Sequence, residues 1–198
     1  MKYLPWIVCS IIALAYPFAG YLPALVPGTD WGLVGVLAAP LRHATLLHLA
    51  VNLLPLAYLL SLMRNDPPAR VIMGLLTIVV VGGMWVWFWG RLGIHEGASG
   101  LTLGVLAMLA MRTDYRSVLS VAALVGTGIA LEYVNIPEAS WETHLGGFVA
   151  GAYYGIITLN WKSKREMDHD DESSSAQATP CPAKCRSDSR PHYPGPGR

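Results

Sequence analysis

The chain has 198 residues, of which 53% are hydrophobic and 14% are charged, and its net charge is +1. A soluble globular domain carries about 25% charged residues, so this composition favours a membrane protein. The near-neutral charge and the lack of a basic patch with interleaved aromatic residues do not suggest nucleic-acid binding, and three scattered cysteines are too few for a disulfide framework.

Six apolar stretches are long enough, or nearly long enough, to cross a bilayer, which takes about 20 residues. In chain order they are 4–25, 46–63, 70–90, 97–111, 117–134 and 141–161. Polar or charged segments separate them. We therefore predict an all-α polytopic membrane protein with a domain of six transmembrane helices over residues 1–161.

The two ends of the chain need separate interpretation. Lys2 before the first stretch is also compatible with a signal peptide, but the prolines of that stretch and the lack of a small-residue cleavage site argue against one. Residues 162–198 are rich in Ser, Asp, Pro and Arg, which predicts a disordered cytoplasmic tail. Cys181 and Cys185 in this tail are a weak metal signal, because no second pair accompanies them.

The Lys and Arg residues predict how the chain is oriented, because they favour the cytoplasmic side of a membrane. With a cytoplasmic N-terminus, two of them, Arg42 and Arg91, lie outside and eight lie inside. The eight are Lys2, Arg64, Arg70, Arg112, Arg116, Lys162, Lys164 and Arg165. We therefore predict a multi-pass protein of the inner (plasma) membrane with both termini in the cytoplasm.

Ser99 lies in Gly97-Ala98-Ser99-Gly100, where the fourth apolar stretch begins. At about 1.5 Å per residue, Ser99 is roughly 20 Å from Arg112 along the helix axis. If Arg112 marks the inner interface of a hydrocarbon core about 30 Å thick, Ser99 lies roughly 10 Å below the outer surface. The first turn of a helix has unpaired N–H groups and a positive dipole end, which favour a nucleophile whose reaction creates an oxyanion. Small residues at this place are alternatively explained by close helix packing alone.

His144 lies near the outer end of the sixth stretch, at a depth similar to that of Ser99. The fourth and sixth stretches carry glycines four residues apart, a spacing that lets helices approach closely in a membrane. These glycines are Gly100, Gly104, Gly147 and Gly151. Such packing would bring the Ser99 hydroxyl to an imidazole that can accept its proton. A lone intramembrane His is alternatively a structural hydrogen-bonding residue.

His48 and Asn52 are four residues apart, on one face of the second stretch. Both side chains can donate hydrogen bonds, so they either hold an oxyanion or only fasten neighbouring helices. A pair of His48 and His144 could instead bind haem or a metal ion, which leaves the serine and its glycines unexplained. We expect Glu96 and Glu142 to lie too close to water to complete a catalytic triad.

Three motifs in this order resemble the rhomboid family of intramembrane serine proteases. They are His43-x4-His48-x3-Asn52, Gly97-x-Ser99-Gly100 and His144-x2-Gly147-x3-Gly151. The segment from His95 to Gly100 also resembles the H-x-G-A-S-G motif of a small bacterial subgroup. The resemblance covers residues 1–161 and implies a six-helix rhomboid-like bundle.

The resemblance implies that Ser99 is the nucleophile and His144 the general base of a dyad that cleaves transmembrane segments of membrane proteins. It also implies that His48, Asn52 and the backbone N–H of Ser99 form the oxyanion hole, with the glycines serving helix packing and His43 a structural role. We expect transmembrane protein substrates and the lipid bilayer as partners, and no cofactor or metal. The oligomeric state stays open, and a catalytically silent rhomboid-like binding protein is the alternative.

Two positions depart from the family pattern. The first loop carries Trp31-Gly32 where a Trp-Arg pair is common, and Leu103 stands where an aromatic residue often stacks on the catalytic His. The departures concern loop packing and the orientation of His144, not the dyad itself.

Overall fold

The computed structural model describes residues 2–111, 126 and 140–158, and these residues form helices and connecting loops without any β-strand. The predicted all-α class is therefore confirmed for the described part of the chain. The predicted fifth span lies outside the described residues, apart from residue 126, and so does the predicted tail at 162–198.

The helices are best given in chain order. They are α1 (Leu4–Ala15), α2 (Asp30–Ala38), α3 (Leu46–Leu62), α4 (Pro68–Thr77), α5 (Gly83–Trp89), α6 (Ser99–Ala110) and α7 (141–158). Short 3-10 segments, Tyr16–Tyr21 and Ala39–Leu41, extend α1 and α2, and a π-helical segment, Ile78–Gly82, joins α4 to α5.

Two helical stretches, Leu4–Tyr21 and Pro68–Trp89, are long and apolar enough to cross a membrane. A third candidate is the pair Asp30–Leu41 and Leu46–Leu62, if its 71° bend lies within one broken span. α6 is apolar but has only 12 residues, whereas a span needs about 20. The residues that the structure describes thus contain two or three candidate spans, and the predicted count of six is not confirmed.

The sequence does not predict α2, because Thr29 and Asp30 have the character of a polar break between spans. In the structure they begin a helix: the Thr29 side chain accepts a hydrogen bond from the backbone N–H of Gly32 at 3.0 Å. The Asp30 carboxylate lies in the first turn, where the helix dipole favours a negative charge. Helix α2 packs against α5. Its glycines Gly32 and Gly35 also lie against the backbone of residues 24–26, in the loop before α2.

The core of the protein lies between α1, α3 and α6, which pack with α3 in the middle. Leu56 and Leu60 of α3 and Val105 and Met108 of α6 are among its buried side chains. All positions of α6 from Ser99 to Leu109 except Leu103 are buried. A helix that is buried on all sides lies inside its bundle, so the N-terminus of α6 is held within the protein.

Candidate active site

The turn before α6 depends on Gly97. Its φ of +108° is a conformation that L side chains rarely adopt. A Cβ on this residue would also lie only 2.6 Å from Nε2 of His48. The turn therefore requires glycine for two reasons, and it places Ser99 as the first, buried residue of α6.

His48 and Asn52 both reach this turn from α3. The Cβ position of Gly97 is 2.6 Å from His48 Nε2 and 3.7 Å from Asn52 Nδ2. Both side chains are almost completely buried, and Asn52 Nδ2 donates a hydrogen bond to the His48 carbonyl at 3.0 Å. The structure thus brings both predicted residues against the chain two positions before Ser99.

His43 holds the same turn from the loop before α3. Its Nε2 accepts a hydrogen bond from the backbone N–H of Ala98 at 3.2 Å, and its ring centroid is 5.0 Å from that of His48. Burial, together with the nearby His48, lowers the pKa of His43 to about 3. His43 is therefore neutral near pH 7, which keeps its ring nitrogen able to accept this bond.

Helices α6 and α7 approach each other at their glycines. A Cβ on Gly147 would overlap the carbonyl oxygen of Gly100, and a Cβ on Gly151 would overlap that of Gly104. The obstacle at both positions is backbone, which cannot rotate away as a side chain can. The four glycines singled out in the sequence thus lie face to face in two pairs.

The contact between α6 and α7 also relates Ser99 to His144. The Cβ position of Gly100 on α6 is 2.7 Å from Thr143 Cγ2 on α7. Gly100 also contacts Gly147, which is likewise on α7. Since Gly100 follows Ser99 and His144 follows Thr143, Ser99 and His144 lie at the same end of this contact. His144 is 8% exposed, so it is buried together with Ser99 at 4%.

We expect Gly151→Ala to lower the free energy of unfolding by about 1–3 kcal/mol, because overpacking a close contact forces backbone shifts of that cost. The matched control is Gly20→Ala, since a Cβ on Gly20 would meet nothing within 4 Å. Denaturant unfolding of both variants in detergent measures the difference. Equal stabilities would show that the α6–α7 contact is looser than described.

A second group of polar residues, to which the sequence assigns no role, joins the loop before Ser99 to the start of α7. His95 Nδ1 lies 2.6 Å from Ser140 Oγ, and His95 Nε2 lies 2.9 Å from the Arg91 carbonyl oxygen. Ser140 Oγ in turn lies 3.1 Å from Glu142 Oε2 and accepts a hydrogen bond from the Thr143 N–H at 3.1 Å. The only sequence signal for this group is an N-cap serine before α7 and the histidine of the H-x-G-A-S-G motif.

The two carboxylates near the site, Glu96 and Glu142, each form an ion pair with an arginine of another segment. Glu142 is itself almost completely buried, at 4% exposed. Its Oε1 lies 3.4 Å from the Arg91 guanidinium, and Glu96 pairs with Arg42 at 3.1 Å. Arg42 also donates hydrogen bonds to two backbone carbonyls at the end of the 3-10 segment that extends α1. The segment before Ser99 is therefore anchored on both sides.

A small cavity of about 30 Å³ adjoins the site, with Gly97, Gly100, Thr143 and Gly147 in its lining. A cavity needs about 10–15 Å³ of such space to hold one water molecule.

Leu103, which replaces an aromatic residue of the family pattern, is half-buried and packs against the core.

Comparisons with known proteins agree with the motifs. The family model for the Rhomboid domain matches residues 30–161. Uncharacterized proteins of Mycobacterium bovis and of two strains of Mycobacterium tuberculosis are 36% identical to this chain over 136 residues. These matches cover 61% of this chain and 57% of each relative, so the chain spans little more than half the length of these curated relatives.

Proposed function

Because this chain belongs to the rhomboid family, we propose that it is a serine endopeptidase that cleaves transmembrane segments of other proteins within the bilayer. The observation that carries the proposal is the surroundings of Gly97, where His48 and Asn52 lie against the turn that leads into Ser99. His144 lies at the same end of the α6–α7 contact. A catalytically silent rhomboid-like binding protein is the competing function.

Ser99 is the proposed nucleophile and His144 the proposed general base. The Ser99 hydroxyl attacks the carbonyl carbon of the scissile peptide while His144 accepts its proton, and His144 then passes this proton to the leaving amine. Water hydrolyses the acyl-enzyme ester and regenerates the hydroxyl. The burial of both residues and the glycine contacts beside them support these roles.

His48, Asn52 and the backbone N–H of Ser99 are the proposed donors to the oxyanion of the tetrahedral intermediate. An Asn amide has two N–H donors, and Asn52 uses one of them on the His48 carbonyl. The N-terminal end of α6 adds its positive dipole at the same place. Loss of one such donor typically lowers kcat by about 10²–10³-fold.

The proposed membrane orientation places Ser99 in the outer half of the bilayer of the inner membrane, with both termini in the cytoplasm. The excess of Lys and Arg on the predicted cytoplasmic side supports it. The aromatic end of α5 agrees with an outer interface, because Phe88 is 63% and Trp89 74% exposed.

A fluorophosphonate probe tests this function, because it reacts with an activated serine hydroxyl and not with an ordinary one. We expect the purified protein to be labelled on Ser99, as located by mass spectrometry of the labelled peptide. His144→Ala is expected to lose the label, because the base that activates the hydroxyl is gone. Heat-denatured protein is the control for nonspecific reaction.

An unlabelled native protein would favour the silent binding function. Undiminished labelling of His144→Ala would remove His144 as the base.

A further inference from the structure

A large cleft lies between the start of α1 and the end of α3, far from Ser99. Its volume is about 630 Å³. Side chains in its lining include Lys2, Trp6, Tyr58, Ser61, Arg64 and Asn65. It is much larger than the cavity beside the candidate active site, and nothing in the proposed proteolysis uses it.

The position of the cleft along the helices places it at one membrane surface. Lys2 lies two residues before the start of α1, and Arg64 lies two residues after the end of α3. His48 lies at the opposite end of α3, so Arg64 is roughly 24 Å from it along the helix axis at about 1.5 Å per residue. With Ser99 in the outer half of the bilayer, the cleft opens at the cytoplasmic leaflet.

The polar groups of the cleft are suited to an anion. Within residues 2–111 and 140–158, no carboxylate forms an ion pair with Lys2 or Arg64. The nearest acidic residue in sequence, Asp66, lies 3.8 Å from the guanidinium of Arg70. The Asn65 amide adds neutral donors beside the two cations.

The walls of the cleft are suited to a lipid. Trp6 is 68% exposed and Tyr58 48% exposed, and such aromatic side chains are favoured at the level of lipid headgroups. Both belong to helices that are candidate spans or part of one, so the cleft faces the position of acyl chains and headgroups. A soluble phosphate ion would use the cations but would gain nothing from these apolar walls.

We propose that this cleft binds the phosphate headgroup of an anionic phospholipid of the cytoplasmic leaflet. Lys2 and Arg64 contact the phosphate, the Asn65 amide donates to headgroup oxygens, and Trp6 and Tyr58 line the path of the acyl chains. Basic pockets between helices on the cytoplasmic side bind acidic lipids for this reason. Each basic side chain near such a surface contributes about a fivefold preference for an anionic headgroup, so the pair contributes about 25-fold.

Native mass spectrometry of the full chain in detergent tests the proposal, with phosphatidylglycerol and phosphatidylcholine of identical acyl chains added separately. We expect the protein to bind phosphatidylglycerol about 25-fold more tightly, and the double variant Lys2→Gln, Arg64→Gln to bind the two lipids equally. The control variant Lys184→Gln, Arg186→Gln loses the same two charges elsewhere and is expected to keep the preference.

The outcomes separate a lipid site from simpler explanations. Equal binding of the two lipids by the unchanged protein, or a preference that persists in the double variant, would overturn the proposal. Loss of the preference in the control variant would assign it to net charge rather than to the cleft. Displacement of phosphatidylglycerol by millimolar inorganic phosphate would point to a soluble anion and would also overturn the lipid assignment. Lipid binding is measured without proteolysis, so the result is independent of the proposed activity.

Discussion

Ser99→Ala is expected to reduce cleavage of a single-span substrate in liposomes to below about 10⁻³ of the unchanged rate, because loss of a serine nucleophile typically costs about 10⁶-fold in kcat. The alanine lacks only the hydroxyl group of the serine side chain, so the fold should persist. Cleavage is measured by gel separation of the substrate fragments over time.

The matched control for this result is Ser10→Ala. Ser10 is an exposed residue of α1 on another part of the protein, and its replacement should leave the rate unchanged. Denaturant unfolding of Ser99→Ala should give a stability close to that of the unchanged protein. Cleavage by Ser99→Ala at the full rate would remove Ser99 as the nucleophile and, with it, the proposed serine mechanism.

Gly97→Ala is expected to lower cleavage by at least about 10²-fold, the typical effect of losing one oxyanion donor. A Cβ at this position would lie 2.6 Å from Nε2 and 2.9 Å from Cε1 of His48, so the His48 ring must move away from the turn. The same substitution leaves Ser99 and His144 chemically intact. Cleavage in liposomes measures the effect, and the fluorophosphonate label shows whether the hydroxyl stays activated.

Gly28→Ala is the control that separates backbone strain from the clash with His48. Gly28 also has a positive φ, +69°, but a Cβ there would meet nothing within 4 Å. Both variants therefore carry the cost of a left-handed residue, about 1–2 kcal/mol, while only Gly97→Ala displaces a candidate catalytic group. We expect Gly28→Ala to cleave at nearly the unchanged rate. Equal losses in the two variants would mean that strain alone, and not His48, accounts for the effect.

Several features of the fold could be predicted from hydropathy, because long apolar runs in a membrane protein have few alternatives to helix. The stretch at 70–90 corresponds to the helical residues Pro68–Trp89, and the stretch at 46–63 to α3. The number of membrane spans could not be predicted from hydropathy in the same way. The stretch at 97–111 becomes a helix of 12 residues, since the part before Ser99 is held as an irregular turn by contacts with distant residues.

The glycine pattern was informative about packing because a missing side chain has a direct geometric consequence. Glycines four residues apart leave a groove on one helix face, and the grooves of α6 and α7 meet at Gly100–Gly147 and Gly104–Gly151. The partner of each glycine could not be assigned from spacing alone. That assignment depends on how far one helix slides along the other, which the whole bundle decides.

The contacts that anchor the candidate site are mostly invisible in the sequence. His95 and Ser140 are 45 residues apart, and His43 and Ala98 are 55 apart. No local pattern relates such pairs, because each depends on the path of the chain through several helices. The burial of Glu142 has the same origin: a charged residue at a helix start looks exposed until its partners Ser140 and Arg91 are known.

The amino-acid sequence by itself therefore determined the chemical inventory of this protein: apolar helices, their glycine faces, and a serine, two histidines and an asparagine within them. Residue type and spacing carry that information, because hydropathy and helix periodicity are local properties. Only the tertiary structure decided the 71° bend before α3, the short α6, and the turn that sets Gly97 against His48. These features result from contacts between segments that are distant in the chain.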